Sequence, residues 1–142
     1  MLNTMFEECL YFNTVALARR LERDWAVAFK PFGLSPSQAF LLRTILNQPG
    51  LLQRELADSL AISRPTATRV LDGLAAKDLI ERRDSGRDGR EYTIYPTRKA
   101  IALQTPLNEA SGKVTKRLKK LLNEDTFADA VNKMRGVRSA LD

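Results

Sequence analysis

The chain has 142 residues, with 23 basic and 17 acidic side chains, no histidine and one cysteine. That length suits one domain whose core needs no disulfide staple. Without histidine the commonest general base and metal ligand are missing, and a lone Cys9 excludes an internal disulfide framework or a cysteine metal cage. No catalytic residue, cofactor or metal site is therefore expected, and the chain does not read as an enzyme. No apolar run reaches the length of a membrane span, and the N-terminus lacks the pattern of a signal peptide. A cytoplasmic protein with no membrane partner is the expectation. The surplus charge lies in the second half: residues 1–62 hold as many acids as bases, and the excess falls in 63–142. A basic excess so placed suits nucleic acid.

In chain order, Met5 to Lys30 contains no Gly or Pro. Leu10, Leu17, Leu21, Trp25 and Ala28 recur at helical spacing. Phe12, Val15 and Val27 lie off that stripe, so the helix, about 39 Å long, must be covered on more than one side. Pro31-Phe32-Gly33 ends it. Ser35-Pro36-Ser37-Gln38 then starts a second helix, with Ser35 as cap, Pro36 at the first position and Gln38 completing a capping box. Phe40, Leu41, Ile45 and Leu46 follow, and the helix stops near Asn47-Gln48-Pro49-Gly50. Gln53 to Leu60 reads as a third helix. Ala61-Ile62-Ser63 connects it to a fourth, capped by Ser63 and carrying Pro65 in its first turn. Ala67, Val70, Leu71 and Leu74 form its inner face.

Leu79–Arg83 and Arg90–Tyr95 read as two strands, with Asp84-Ser85-Gly86 and Asp88-Gly89 turning between them. Helix resumes after Pro96, with a kink expected at Pro106 and Gly112. Asn123-Glu124-Asp125 starts a last helix with acid in its first turn. Phe127, Val131, Met134, Val137 and Leu141 form its stripe.

The expected fold is mainly α with a small β-wing: a winged helix-turn-helix with long N- and C-terminal dimerisation helices. Residues 1–142 form a single domain, with 34–97 as the DNA-binding lobe and 1–33 and 98–142 as the dimerisation helices. A helix of this kind enters the major groove by its N-terminal turn. The candidate base- and phosphate-contacting residues are thus Ser63, Arg64, Pro65, Thr66, Thr68 and Arg69. Arginines at a hairpin tip can enter the narrow minor groove, which points to Arg87 and Arg90 in the wing, and a tip glycine such as Gly89 lets the backbone come close to the sugar-phosphate wall. Asp72 would repel DNA, and the contact surface should end near it.

The run LLQRELADSLAISRPTATRVLDGLAAKDLIERRDSGRDGREYTIYPT, residues 51–97, resembles the multiple-antibiotic-resistance regulator (MarR) family of bacterial repressors. GLSPSQAFLL, residues 33–42, is similar to that family's second helix. The resemblance implies a homodimer built from the first and last two helices, reading a pseudo-palindromic duplex and released by a small aromatic or phenolic acid. It implies that Asp88 orients Arg90, while Gly89 stands where the family has an arginine and Arg87 is the candidate substitute. Leu52 stands where a Thr cap is frequent, a loss of about 1 kcal/mol, and Ala100 where Gly is frequent. Alternative readings are a redox-sensing regulator using Cys9 and a winged-helix protein-interaction module without DNA binding. Against the first, Glu7 and Glu8 immediately precede Cys9, whereas a reactive thiolate needs a positive neighbourhood; a half-buried apolar role is the plainer one. Trp25, Phe29, Phe32 and Phe40 read as core before they read as an effector pocket. The run Lys113, Lys116, Arg117, Lys119 and Lys120 reads as a solvated face. Arg98 and Lys99, cations at a helix N-terminus, suit either a nearby phosphate or no particular role.

Overall fold

A computed structural model of the chain describes residues 4–86 and 91–142. The elements run α1 (Leu10–Phe29), a 3-10 turn (Lys30–Phe32), α2 (Pro36–Asn47), β1 (Leu51–Leu52), α3 (Gln53–Ser59) and α4 (Arg64–Ala76). They continue with β2 (Ile80–Asp84), β3 (Tyr92–Pro96), α5 (Arg98–Ile101), α6 (Gln104–Leu122) and α7 (Glu124–Leu141). The strands form one antiparallel sheet in the order β1-β3-β2. Strand β1 was not expected. Leu51 and Leu52 become a strand only because Ile94 and Thr93 lie opposite them.

The turn chemistry explains where each helix begins. Cys9 caps α1, its sulfur accepting from the Phe12 N–H at 3.5 Å. The helix therefore starts later than the expected Met5, and Cys9 is exposed rather than half-buried. At α2 the full capping box forms: Ser35 Oγ accepts from the Gln38 N–H at 3.2 Å, and Gln38 Oε1 from the Ser35 N–H at 3.0 Å. Leu52 has no acceptor to offer α3. Half of the reciprocal arrangement survives, because the Glu55 carboxylate accepts from the Leu52 N–H at 2.9 Å.

Two glycines are set by geometry. Gly33, at φ 68°, turns the chain after the 3-10 segment, in the left-handed region that glycine enters at no steric cost. Gly50, at φ 90°, donates its N–H to the Ile94 carbonyl at 2.8 Å, and a Cβ there would lie 3.1 Å from the Tyr95 hydroxyl. Among the non-glycine residues, Asp78 occupies the left-handed region at φ 58° where α4 ends, and the Leu79 N–H reaches back to the Leu74 carbonyl at 3.0 Å. This is a Schellman-type stop.

After β3 the helix breaks at Ala102-Leu103, not at the expected Pro106 and Gly112. Pro106 falls in the first turn of α6, where its missing N–H has no intrahelical partner to lose. Gly112 sits within an unbroken helix.

The core lies where α2, α4 and the sheet meet. Leu41, Leu42, Ile45, Leu56, Leu71, Leu74 and Ile94 are fully buried together with Phe29 from α1 and Leu107 from α6. The inner face of α4 is Ala67, Val70, Leu71 and Leu74, at helical spacing. Burying each such Leu contributes about 1.5–3 kcal/mol. The α7 stripe is different. Val131, Met134, Val137 and Leu141 all stay exposed, and α7 buries no residue within this chain. On α1, Leu10, Tyr11, Leu17 and Val27 are exposed as well.

Candidate nucleic-acid interface

Burial of Ala67, Val70, Leu71 and Leu74 against α2 and the sheet fixes which face of α4 meets solvent. Arg64, Pro65, Thr68, Arg69 and Asp72 are exposed on it. The turn before α4 is tight: Ala61 sits at φ 54°, and the Ile62 N–H donates to the Ala57 carbonyl at 3.0 Å.

The exposed hydroxyls are engaged locally. Ser63 Oγ accepts from the Thr66 N–H at 3.3 Å and lies 2.8 Å from Thr66 Oγ1. Thr68 Oγ1 donates to the Arg64 carbonyl at 3.1 Å and accepts from Gln53 Nε2 at 2.7 Å, which ties α3 to α4. Arg64 and Arg69 make no hydrogen bond or ion pair with any described residue. Their charge is available to an outside partner.

Beside α4, a groove of about 510 Å³ is lined by Arg54 and Gln53 from α3, Arg64, Thr68 and Asp72 from α4, and Arg82 and Glu91 from the β2–β3 hairpin. Arg82 Nη2 lies 2.6 Å from Asp72 Oδ1, and Arg54 Nη1 lies 3.5 Å from Glu91 Oε1. The sheet is thereby pinned to both helices, and the carboxylate expected only to repel DNA is a strut for the hairpin. On the opposite face of β2, Arg83 stacks over the Tyr95 ring at 3.9 Å. Gln53, Arg54 and Arg82 were not among the expected site residues. Arg82 follows buried Ile80 by two positions, so strand alternation points it to the same face; that was the available signal.

Arg87, Asp88, Gly89 and Arg90, the expected wing contacts, lie outside the described residues. Lys99 has a local role: its Nζ donates to the Lys77 carbonyl at 2.9 Å, and Lys77 Nζ reaches the Gly33 carbonyl. A cation at the carbonyl end of α4 is favourable and needs no phosphate. Lys113, Lys116, Arg117 and Lys120 are exposed on α6, and Lys119 lies over the Phe127 ring at 5.4 Å. Phe29 is core, as expected, but Trp25 and Phe40 line an open cavity of about 460 Å³ with Leu21, Glu22, Leu60 and Ile62. Among the described residues no cluster of His, Cys, Asp or Glu could hold a metal ion. No described helix is long and apolar enough to cross a membrane.

Residues 32–91 match the sequence profile of the MarR family. The chain is 29% identical over 102 residues to a putative transcriptional regulatory protein for the hcr operon of Thauera aromatica; the match covers 66% of this chain. The chain thus spans about three fifths of that relative's length, 61%. Among solved structures it superposes on a MarR protein from Peptoclostridium difficile with a TM-score of 0.87 at 17% identity, over 99% of this chain and 92% of the other. It superposes on the transcriptional repressor CouR, bound to a 23-mer DNA duplex, with a TM-score of 0.79 at 28% identity, over 98% of this chain and 99% of the other.

Proposed function

We propose that the chain, whose residues 32–91 match the profile of the MarR family, acts as a homodimeric repressor that binds a pseudo-palindromic DNA operator. The observation that carries this reading is the exposed α4 face. Arg64 and Arg69 stand there without a hydrogen-bond or ion-pair partner among the described residues, on a helix anchored by four buried apolar residues. Guanidinium groups so held can bond guanine edges or phosphates, and the rigid backing keeps their entropic cost low. CouR, the DNA-bound repressor of similar fold, supports the same docking for this chain.

The unpartnered apolar stripes of α1 and α7 support the dimer. Contiguous apolar surface of that kind marks an interaction site, and a two-fold pair would cover both stripes isologously. The two α4 helices would then address half-sites about 34–36 Å apart. The cavity beside Trp25 and Phe40, between α1 and the DNA-binding lobe, supports release by a small aromatic effector. No enzymatic role is proposed: the matching family and relatives are regulators.

The test is selection of bound duplexes from a random pool, followed by affinity measurement with Arg64→Ala. The reading predicts one enriched two-fold motif and a relaxed base preference in the variant. A pool that never enriches, or a variant with unchanged affinity and preference, contradicts it.

A further inference from the structure

Gln53 opens α3, outside the proposed recognition helix, yet its side chain lies against the exposed face of α4. It lines the same groove as Arg64 and Thr68. Its Nε2 donates to Thr68 Oγ1 at 2.7 Å, and Thr68 Oγ1 donates in turn to the Arg64 carbonyl at 3.1 Å. A threonine hydroxyl carries one hydrogen. Thr68 spends it on the carbonyl, so toward Gln53 it can only accept, and the carboxamide must present its nitrogen there. That fixes the amide: Nε2 toward Thr68, Oε1 away from it.

One Nε2 hydrogen and the Oε1 lone pairs are left without a partner among the described residues. No buried side-chain oxygen or nitrogen among those residues lacks a hydrogen bond, so the free Oε1 faces open space. The residue as a whole is half-buried: its stem is held and its polar tip is presented. An N–H donor beside an oxygen acceptor is the complement of adenine, whose N7 accepts and whose N6 amino group donates in the major groove. A phosphate offers acceptors only, and a carbonyl oxygen turned toward it meets the wrong charge.

We infer that Gln53 is a specificity-determining residue that reads an adenine in each half of the operator. Thr68, expected to touch DNA itself, is the positioning residue that aims the amide. The bond between them orders the carboxamide before DNA arrives, which removes part of the entropic cost of binding. This assignment rests on the operator-binding reading above and adds to it a base contact from outside α4.

The experiment selects duplexes from a random pool with the full chain and, in parallel, with Gln53→Ala, Gln53→Glu and Thr68→Val. Affinities are then measured on the selected duplex and on its single-base variants. The unsubstituted chain should favour adenine at one position per half-site by roughly tenfold or more. Gln53→Ala should lose that preference at that position alone. Gln53→Glu, whose carboxylate only accepts, should turn it toward cytosine, whose N4 amino group donates; being nearly isosteric, it keeps the test open if Gln53→Ala folds poorly. Thr68→Val keeps the side-chain shape without the hydroxyl and should weaken the preference at the same position, which a purely structural role would leave unmoved. Preferences unchanged in the Gln53 variants, or a Gln53→Ala chain that binds every duplex equally more weakly, would overturn the assignment while leaving the operator reading standing. An unsubstituted chain that enriches no duplex would sink both.

Discussion

Asp72 on α4 and Arg82 on β2 lie 2.6 Å apart and join the proposed recognition helix to the base of the hairpin. The carboxylate is largely exposed and the guanidinium mostly covered. A surface pair of this kind contributes only about 0–1 kcal/mol to stability, so its value lies in position. Asp72→Asn should change the melting free energy by about 1 kcal/mol at most. It should also lower the ratio of specific to non-specific DNA affinity: random DNA gains from one repulsion fewer, while the hairpin loses its tie. Paired affinity measurements on the selected duplex and a scrambled one decide it. An unchanged ratio would leave Asp72 without the strut role.

Arg64 and Arg69 separate base reading from phosphate clamping. Arg64→Ala is expected to weaken operator binding by about 1–3 kcal/mol and to relax preference at one base pair. A residue that contacts only phosphate should instead weaken all sequences alike and reduce the salt slope by about 1. Affinity across a salt series, on operator and scrambled duplexes, assigns each arginine to one class.

The α7 stripe and the core should respond oppositely to truncation. Leu71 is fully buried, and Leu71→Ala should cost about 2–5 kcal/mol in a thermal or urea melt. Met134 is exposed in the single chain. Met134→Lys should leave the secondary structure intact, as circular dichroism would show, but shift the molecule toward a single subunit in sedimentation.

Asp78 holds a left-handed backbone at φ 58° at the end of α4, where glycine is the preferred residue. Its side chain makes no bond among the described residues. Asp78→Gly should therefore raise stability by about 0.5–1 kcal/mol, since the strain of a left-handed non-glycine residue is about 1–2 kcal/mol and the gain in unfolded-state entropy offsets part of it. A melt showing destabilisation would contradict this account of the stop.

Much of the fold was legible because its signals are local. Ser35 and Gln38 sit three residues apart, which is all a capping box needs, and the box forms. The spacing of Ala67, Val70, Leu71 and Leu74 gave the buried face of α4 directly. What could not be read depends on distant partners. Leu51-Leu52 is a strand only opposite Ile94 and Thr93. Asp72 looked like a boundary to DNA contact because Arg82 lies ten positions away on another element. Arg43 carries no signal of its own in the sequence, because its partners Asn108 and Ser111 lie 65 and 68 positions away. Phe40 fits a core stripe, yet 38% of its surface is exposed, because the cavity beside Trp25 opens there.

The most direct test is the mass of the complex. Two chains of 16.0 kDa should sediment with one selected duplex, protecting two half-sites related by a two-fold axis, and the complex should fall apart steeply as salt rises. A single chain on the duplex, or no complex with any sequence at modest ionic strength, would contradict the proposed function.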